Sequence, residues 1–521
     1  MFQTATNFFR LWHVARTLSR HDALIPHEYA AAMPGWARFA RALLGGRSRN
    51  DASPGVRLAE ALENLGPAHI KLGQVLATRP DIVGAEIATA LEGLQDRLPP
   101  FPADEARKVI AQSLGKPVDQ MFSSFGEAVA AASIAQVHSA RLADSTRHVA
   151  VKVLRPGIEE EFSRELLALA FAARIAERFS AEARRLRLTA LVETLAASVA
   201  LELDLRMEAA AASELAERTK QDAGFRVPAV VWDMTSSRIL TSEWIDGIPL
   251  RDPVALMAAG HDPKKIAVTV VRSFLSQALR DGFFHADMHP GNLFVDAQGN
   301  LVAVDFGIMG RLDPTMRRFM AETLAGFLAR DYARVARIHY DVAFVPSHHP
   351  IDTFAQALRA IGEPIFGRPA REMSMARLLQ QLFDTTRRFD MEAQPQLLLL
   401  QKTMVVVEGV ARSLDPDFDM WSAARPVAEK WVVANIGPEA RLRDVGEGIG
   451  ALGRLAQNLP QIVRNAENLS AMLADGGVRL HPDSADAIAA AQASRTRNGR
   501  IALWIVAAAL VVLAAILLHS L

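Results

Sequence analysis

Two short motifs and the segment between them constrain the fold of this chain most strongly. The first motif, HADMHPGN at 285–292, runs into the apolar residues LFV, and the second is DFG at 305–307. Between them, the β-prone runs NLFV and LVAV flank DAQGN, whose Asp, Gly and Asn are typical turn residues. The pattern predicts a β-hairpin that brings Asn292 and Asp305 to the same end of two paired strands.

The acidic and amide side chains of these motifs have the spacing of a protein-kinase catalytic loop. The interval from Asp287 to Asn292 matches that of H-R-D-x-x-x-x-N. Phosphoryl transfer needs metal ions on the phosphate oxygens, and Asn292 and Asp305 offer hard oxygen ligands suited to Mg²⁺. Asp287 is then available to accept a hydroxyl proton or to orient a water. DFG alone recurs by chance, so the prediction depends on both motifs occurring in this order.

An upstream lysine and a downstream acidic segment extend the prediction. Lys152 lies in the strand-like run VAVKV and resembles the lysine of the kinase V-A-I-K motif, which binds the α- and β-phosphates. Its carboxylate partner is sought in ELDLRME at 202–208. Asp204 and Glu208 are four residues apart and are predicted to share one helix face, whereas Glu202 would point elsewhere. An ordinary charged helix face is the alternative.

Two further segments are candidates for contact with a nucleotide. No glycine-rich loop precedes Lys152, and an alanine-rich segment stands in its place, where side chains restrict backbone approach to phosphate; the start of a helix is the alternative. The run RILTSEWIDGIP at 238–249 is a strand leading into a turn, as in the kinase segment that binds adenine by backbone groups. The candidate residues are Ala130, Ala131, Ala132, Ser133, Ile134, Ala135, Gln136, Glu243 and Ile245.

Composition excludes several other classes of protein. The 521 residues suit two domains or one elaborated domain, and half of them are hydrophobic. Basic and acidic residues balance at 58 each, so the basic excess usual in nucleic-acid binders is absent. The chain has no cysteine, which excludes disulfides, thiolate metal sites and cysteine nucleophiles.

Both ends of the chain have patterns that suit a membrane. Residues 501–518 are an unbroken apolar run that would span roughly 27 Å as a helix, so a transmembrane helix is predicted, with a buried core helix as the alternative. Arginines precede this run, and the positive-inside rule places the body of the protein in the cytoplasm. Residues 1–24 form a basic amphipathic pattern, which either lies on anionic lipid or packs on the domain.

These segments together resemble the UbiB (aarF or ADCK) family of atypical kinases, over roughly residues 58–310. The matching motifs occur in the family's order, although Ala135 and Met288 stand where many members have glycine and proline. In sequence order the matches are HIKLGQVLATRPDIV, AAASIAQVH, VAVKV, the E-x-D-x-x-x-E run at 202–208, HADMHPGNLFVD and VDFGIMG.

The resemblance implies roles that spacing alone does not. Lys71 and Gln74, of the K-x-G-Q motif, would reach into the nucleotide site from a helical extension that occludes the place of a peptide substrate. Glu202 and Asp204 would belong to the same extended active site, and Glu208 would be the ion-pair partner of Lys152. The alanine-rich loop is associated with unusual nucleotide selectivity in the family. The expected cofactors are ATP or ADP with Mg²⁺. His285 would bind backbone carbonyls rather than a metal.

The expected fold is α+β, an atypical protein-kinase-like two-lobed fold with a helical N-terminal extension and a C-terminal transmembrane helix. The expected divisions are an amphipathic helix at 1–24, the extension at 25–120, an N-lobe with a helical insertion at 121–248, a C-lobe at 249–440, an amphipathic connector at 441–500 and the membrane span at 501–518.

The resemblance further implies a membrane-anchored kinase or ATPase that supports ubiquinone biosynthesis at the bacterial inner membrane. Its expected partners are membrane lipid, polyprenyl-phenol or quinone intermediates and ubiquinone-biosynthesis proteins, with no nucleic acid. No A-P-E segment follows DFG, which disfavours a peptide substrate. The alternatives are a nucleotide-gated lipid-binding scaffold and a small-molecule kinase of the aminoglycoside-phosphotransferase type. The phosphoryl acceptor and the oligomeric state stay open.

Overall fold

A computed structural model describes most of the chain up to residue 436, and its residues form two compact units. The first unit contains the described residues up to Met207 together with Val231–Thr241, and the second contains Glu208–Val230 and the described residues from Ser242 onward. The described residues are 2–23, 52–77, 83–91, 94, 99–179, 184, 187–366, 381, 385–386, 388–391 and 394–436. The predicted connector at 441–500 and the predicted membrane span at 501–518 lie outside them.

The first unit contains a four-stranded sheet in the order β1-β2-β3-β5. The strands are β1 (Phe122–Ala131), β2 (Ala135–Leu142), β3 (His148–Leu154) and β5 (Ile239–Glu243), of which the last continues into the second unit. Alternation in VAVKV places Val149, Val151 and Val153 in the core, fully buried, while Lys152 between them is only half-buried. The core residues pack against Ile110 of helix α5.

Helices precede this sheet and follow its third strand. They are α1 (Phe2–Arg20), α2 (Pro54–Leu65), α3 (Pro67–Ala77), α4 (Ala85–Leu91), α5 (Ala103–Leu114), α6 (Val118–Met121), α7 (Ile158–Phe179), α8 (Leu188–Glu202) and α9 (Leu205–Thr219). Gly66 ends α2 with a φ of 99° and Pro67 begins α3, so this Gly-Pro pair marks a helix boundary.

The amphipathic N-terminal helix packs on the first unit. Helix α1 contacts α2 and α7, and Arg10 on α1 pairs with Glu165 on α7. The chain after α1 is held by Arg57, whose fully buried guanidinium lies 3.6 Å from the carboxylate of Asp22 and donates to the carbonyls of Asp22 and Ala52. In the structure this helix therefore packs on the domain, although Trp12 stays exposed and the ion pair is made by the basic residue Arg10.

The acidic motif at 202–208 lies where one helix ends and the next begins. Helix α8 ends at Glu202 and α9 begins at Leu205, so Asp204 is not on the helix that carries Glu208. The prediction that Asp204 and Glu208 share a helix face is wrong. Asp204 stands just before α9, where its carboxylate accepts a hydrogen bond from the N–H of Arg206, a capping contact that competes with continuation of the helix.

The second unit consists of small sheets and a helical remainder. Strands β4 (Phe225–Arg226), β9 (Leu301–Ala303), β8 (Leu293–Asp296) and β6 (Gly247–Pro249) form one sheet in that order, and β10 (Met309–Arg311) pairs with β7 (Phe283–His285). The helices are α10 (Pro253–Ala258), α11 (Pro263–Leu275), α12 (Pro314–Leu328), α13 (Tyr332–Asp341), α14 (Ile351–Phe366), α15 (Pro395–Leu414) and α16 (Met420–Ile436). A π-helical turn, Ser276–Asp281, follows α11.

The core of this unit forms where α11 packs against α15 and α16. Fully buried apolar side chains of α11 and α15, such as Phe274 and Val407, share one cluster with Phe284 on β7 and Leu293 on β8. The loops that carry both motifs are therefore built on strands anchored in this core. No helix within the described part of the chain is long and apolar enough to cross a membrane.

Candidate active site

The predicted hairpin between the two motifs is confirmed. Strands β8 and β9 are antiparallel, with Leu293 opposite Ala303 and Val295 opposite Leu301. The turn is closed by Asp296, whose carboxylate accepts hydrogen bonds from two backbone N–H groups of the turn, at 3.0 and 2.8 Å. At the other end the N–H of Val304 donates to the carbonyl of Asn292 at 2.8 Å. The hairpin therefore places Asn292 and Asp305 at one end, as the sequence predicts.

The catalytic-loop aspartate and asparagine contact each other directly. The amide Nδ2 of Asn292 donates to Asp287 twice, to the carboxylate Oδ2 at 2.9 Å and to the backbone carbonyl at 3.1 Å. These bonds orient the amide, since its nitrogen faces Asp287. The Oδ1 of Asn292 is then the atom that can serve as a metal ligand, which agrees with the role predicted for this residue.

His285 links the two motifs through backbone groups. It is fully buried on β7, its Nδ1 accepts from the N–H of Asp287 at 3.1 Å, and its Nε2 lies 3.4 Å from the carbonyl of Val304. Burial lowers the pKa of His285, although the nearby carboxylates of Asp287 and Asp305 oppose that shift. A neutral imidazole can accept at Nδ1 and donate at Nε2, as both contacts require. The structural role expected for His285 is therefore supported.

Asp305 has a backbone conformation that is rare for a residue with a side chain. Its φ is 62°, in the left-handed region, and its carboxylate accepts from the N–H of Gly307 at 3.2 Å. The next residue, Phe306, is buried and its ring packs edge-on against His285, with centroids 5.5 Å apart. Strain of this kind persists only where the surroundings hold it, and it concentrates at functional sites.

Glu208 contacts the DFG segment, which sequence reasoning did not anticipate. Its side chain is buried, and Oε1 accepts a hydrogen bond from the N–H of Phe306 at 3.3 Å. The expected ion pair of Glu208 with Lys152 joins residues of different units and stays a prediction. The contact found here means that Glu208 also supports the residue that follows the metal-ligand candidate Asp305.

In the first unit, the structure brings the K-x-G-Q lysine to the E-x-D glutamate. Lys71 on α3 forms an ion pair with Glu202 at the end of α8, with 2.8 Å between Nζ and Oε2. Gly73, in the same motif, allows close helix packing, because an added Cβ would lie 2.3 Å from a methyl carbon of Leu94. Gln74 is half-buried on the same helix.

Asp204 has a different partner. Nε and Nη2 of Arg206, which form one edge of its guanidinium, donate to the two carboxylate oxygens of Asp204, at 2.9 and 2.6 Å. Hydrogen bonds from this side chain lower the pKa of Asp204. The partner lies two residues along the chain, where the E-x-D motif itself gives no signal for it.

The alanine-rich segment, residues 130–136, consists of the end of β1, the turn at 132–134 and the start of β2, so the alternative of a helix start is wrong. The N–H of Ala132 donates to the carbonyl of Ala135 at 2.8 Å. Arg155, which follows β3 directly, holds the turn by donating to the carbonyl of Ala132 at 2.9 and 3.1 Å. Sequence reasoning missed Arg155, because an arginine after a strand is usually a solvated side chain.

Several candidates in this turn have side chains directed into the protein. Gln136 is buried and exchanges hydrogen bonds with the backbone N–H and carbonyl of Phe101, at 2.8 and 3.0 Å. Ser133 and Ile134 are buried, whereas the side chain of Ala131 is half-buried and that of Ala130 is exposed. Any contact with phosphate is therefore expected from the backbone of the turn.

The predicted adenine-binding segment is fixed by an ion-pair network. The carboxylate of Glu243 accepts from Arg226 at 3.0 and 3.1 Å, and Arg226 also donates to Asp296 at 3.0 Å. The side chain of Glu243 is thereby occupied within the second unit. Glu243 and Ile245 remain candidates through their backbone groups, as the interpretation of this segment requires.

Family models match two parts of the chain, the first of which contains the residues of both motifs, 285–292 and 305–307. A model described as ABC1 atypical kinase-like domain matches residues 93–339, and one described as UbiB helical domain matches residues 358–419. A curated relative from Marinobacter nauticus, "Probable protein kinase UbiB", is 41% identical over 468 residues, covering 88% of this chain and 85% of its own. The chain belongs to the UbiB family.

A second UbiB relative, from Azotobacter vinelandii and also named "Probable protein kinase UbiB", is 42% identical over 434 residues, 82% of this chain and 81% of its own. Among solved structures, a complex titled as Rv3197–erythromycin from Mycobacterium tuberculosis is similar at 23% identity and a TM-score of 0.49, covering 70% of this chain and 93% of that one. The two matched ranges, 93–339 and 358–419, both overlap the range 249–440 expected as the C-lobe.

Proposed function

We propose that this UbiB-family chain binds ATP with Mg²⁺ and hydrolyses it, or transfers its γ-phosphoryl group, in support of ubiquinone biosynthesis at the bacterial inner membrane. The observation that carries the proposal is the Asp287–Asn292 pair at the end of the hairpin that leads to Asp305. An amide oxygen and a carboxylate are the kind of ligands that Mg²⁺ prefers, so the residues present fit the ion. Bound Mg²⁺ would neutralise charge on the phosphate oxygens.

The residues of the second unit have separate tasks in this proposal. Asn292 and Asp305 would hold the metal, and Asp287 would accept the proton of an attacking hydroxyl or water. His285 keeps the backbone of Asp287 in place from the core side. Glu208 holds the backbone after Asp305. In the first unit, the roles of Lys152, Lys71, Gln74, Glu202 and Asp204 are those that membership of the family implies.

The partners in this proposal are membrane lipid, a polyprenyl-phenol or quinone intermediate, and proteins of ubiquinone biosynthesis. Membrane attachment would come from the apolar run at 501–518, with the body of the protein in the cytoplasm. The Lys71–Glu202 ion pair supports the idea that the K-x-G-Q helix belongs to the nucleotide site, since it joins two motifs far apart in sequence. That no A-P-E segment follows DFG favours an ATPase or lipid-directed kinase over one acting on peptides.

The test is phosphate release from Mg-ATP by the full chain, with and without anionic vesicles containing a quinone-like phenol. Asp305→Asn removes a metal ligand's charge, so we expect turnover to fall at least about a hundredfold, the scale on which removal of one electrostatic catalytic group acts. Asp262→Asn is the matched control, because Asp262 caps α11 and asparagine caps equally well. Equal turnover in Asp305→Asn and wild type would contradict the proposal.

A nucleotide-gated scaffold is the competing function, and Asp287→Asn separates it from an enzyme. The variant retains an oxygen that accepts from Asn292 but loses the proton acceptor. We expect turnover to fall about 10²- to 10⁴-fold with nucleotide affinity unchanged, because general base catalysis contributes on that scale. The measurements are phosphate release, nucleotide binding and rescue of quinone production in cells. Full rescue by Asp287→Asn would favour the scaffold.

A further inference from the structure

Outside the active site, three side chains of the second unit converge on one point. His348 and His349 lie in the loop between α13 and α14, and Asp390 lies in a turn ahead of α15. The Nε2 atoms of His349 and His348 are 3.2 and 3.7 Å from Oδ2 of Asp390. One ligand atom from each residue lies within 4.8 Å of the other two. The proposed mechanism uses none of these residues.

These distances fit the edges of a coordination tetrahedron. Zinc binds imidazole nitrogen and carboxylate oxygen at about 2.0–2.2 Å, which places any two ligand atoms roughly 3.4 Å apart. A cation could therefore be bound with small side-chain rotations and no movement of the backbone. The ring centroids of the two imidazoles are 4.1 Å apart, and the carboxylate of Asp390 lies next to both rings.

Contacts with neighbouring aromatic residues fix the position of His349. The ring of His349 packs edge-on against Phe389, with centroids 5.3 Å apart, and the hydroxyl of Tyr340 donates to the carbonyl of His349 at 2.7 Å. Phe389 is buried in a cluster with Phe354. Second-layer contacts of this kind orient metal ligands and raise their affinity.

Asp390 has a strained backbone. Its φ is 49°, in the left-handed region that non-glycine residues rarely adopt. In this conformation its carboxylate lies against the two histidines, and the preceding residue, Phe389, is buried. His348 and Asp390 are mostly exposed, with 65% and 69% of their side-chain surfaces accessible, so solvent can reach the point where the three ligand atoms meet.

We propose that His348, His349 and Asp390 form a binding site for Zn²⁺ or a similar first-row divalent cation, with the fourth coordination position open to water. Two imidazoles and one carboxylate suit these metals, whereas Mg²⁺ prefers oxygen ligands alone. The cation would tie the loop after α13 to the turn before α15. That turn falls in the range that matches the UbiB helical domain, so the site would crosslink this region of the second unit.

The experiment is a calorimetric titration of the metal-free full chain with zinc chloride at pH 7.5, in millimolar Mg²⁺. The test variants are His348→Ala, which removes an exposed side chain, and Asp390→Asn. Asparagine tolerates the left-handed conformation, so the second variant keeps the turn while weakening the ligand. His261→Ala is the matched control, since it removes a loop histidine from the same unit.

We expect wild type and His261→Ala to bind one equivalent of zinc with the same affinity. Each test variant should bind zinc at least about tenfold more weakly, because loss of even a residue that hydrogen-bonds to a metal ligand lowers metal affinity by about that factor. Affinity should fall from pH 7.5 to 6, because bound histidine must be neutral. Asp305→Asn should leave the zinc affinity unchanged, which separates this site from the active site. Unchanged binding in His348→Ala and Asp390→Asn would overturn the proposal.

Discussion

The β8–β9 hairpin with its flanking motifs and the helical N-terminal part of the first unit are organised in opposite ways. In the hairpin, the important partners are close in sequence: Asn292 is bound by Asp287, and Asp296 closes its own turn. In the N-terminal part, the partners are distant: Arg57 reaches Asp22, and Lys71 reaches Glu202. Short functional motifs can therefore be recognised in the sequence, whereas the contacts between distant residues that support them cannot.

The largest effect that tests this comparison is expected at Arg57. Arg57→Met leaves the carboxylate of Asp22 buried without its guanidinium, and we expect a loss of about 3–5 kcal/mol in the free energy of unfolding, as for other broken buried pairs. Urea unfolding followed by circular dichroism measures the loss, and hydrogen exchange locates it at α1.

The control for that experiment is Arg107→Met. Arg107 also pairs with an aspartate, Asp119, but that carboxylate is 91% exposed. Exposed pairs contribute about 0–1 kcal/mol, so the control should lose much less. If the two variants lost equal stability, the distant buried pair would not be what anchors the N-terminal helix.

An intermediate effect is expected from acid, through burial that only tertiary packing creates. His339 on α13 lies among Phe319 and Phe354, and burial lowers its pKa to about 4. Below its ordinary pKa of about 6.5, the unfolded chain binds a proton that the folded protein does not. Above that value this group does not lower the free energy of unfolding. As the pH falls toward 4, the free energy of unfolding decreases by about 1.4 kcal/mol per pH unit, about 3 kcal/mol in all.

The measurement is the unfolding free energy between pH 8 and 4 for wild type and His339→Gln. The variant lacks the titrating group, so its curve should be flatter over that window whatever its stability at neutral pH. Parallel curves for the two proteins would show that His339 is not the residue responsible.

The smallest effect is expected at the Lys71–Glu202 pair. Lys71→Met and Glu202→Gln should shift the ratio of ATP to ADP affinity in the same direction. The double variant should differ from additivity by about 1 kcal/mol, roughly fivefold in affinity, as expected for contacting residues. Lys108→Met, at an exposed position on α5, should leave the ratio unchanged. Additive effects would mean that the two motifs act separately.

Much of the fold could be predicted because its patterns are local. The strands of VAVKV and of the hairpin follow from alternation and turn residues, and Gly66-Pro67 marks a helix boundary by its own chemistry. The placement of Asp204 could not be predicted in this way. The amino acids from 159 to 220 favour helix by composition. The helix nevertheless ends at Glu202, and Asp204 caps the one that follows.

The order and spacing of Asp287, Asn292 and Asp305 were determined by the sequence alone, because a hairpin of fixed length brings its two ends together whatever surrounds it. Tertiary structure decided the rest: the burial that lowers the pKa of His285, the hydrogen bond of Glu208 with Phe306, and the hydrogen bonds of Arg155 with the alanine-rich turn. Each of these depends on burial or on a partner far along the chain. Such contacts form only when separate segments pack, so no local pattern records them.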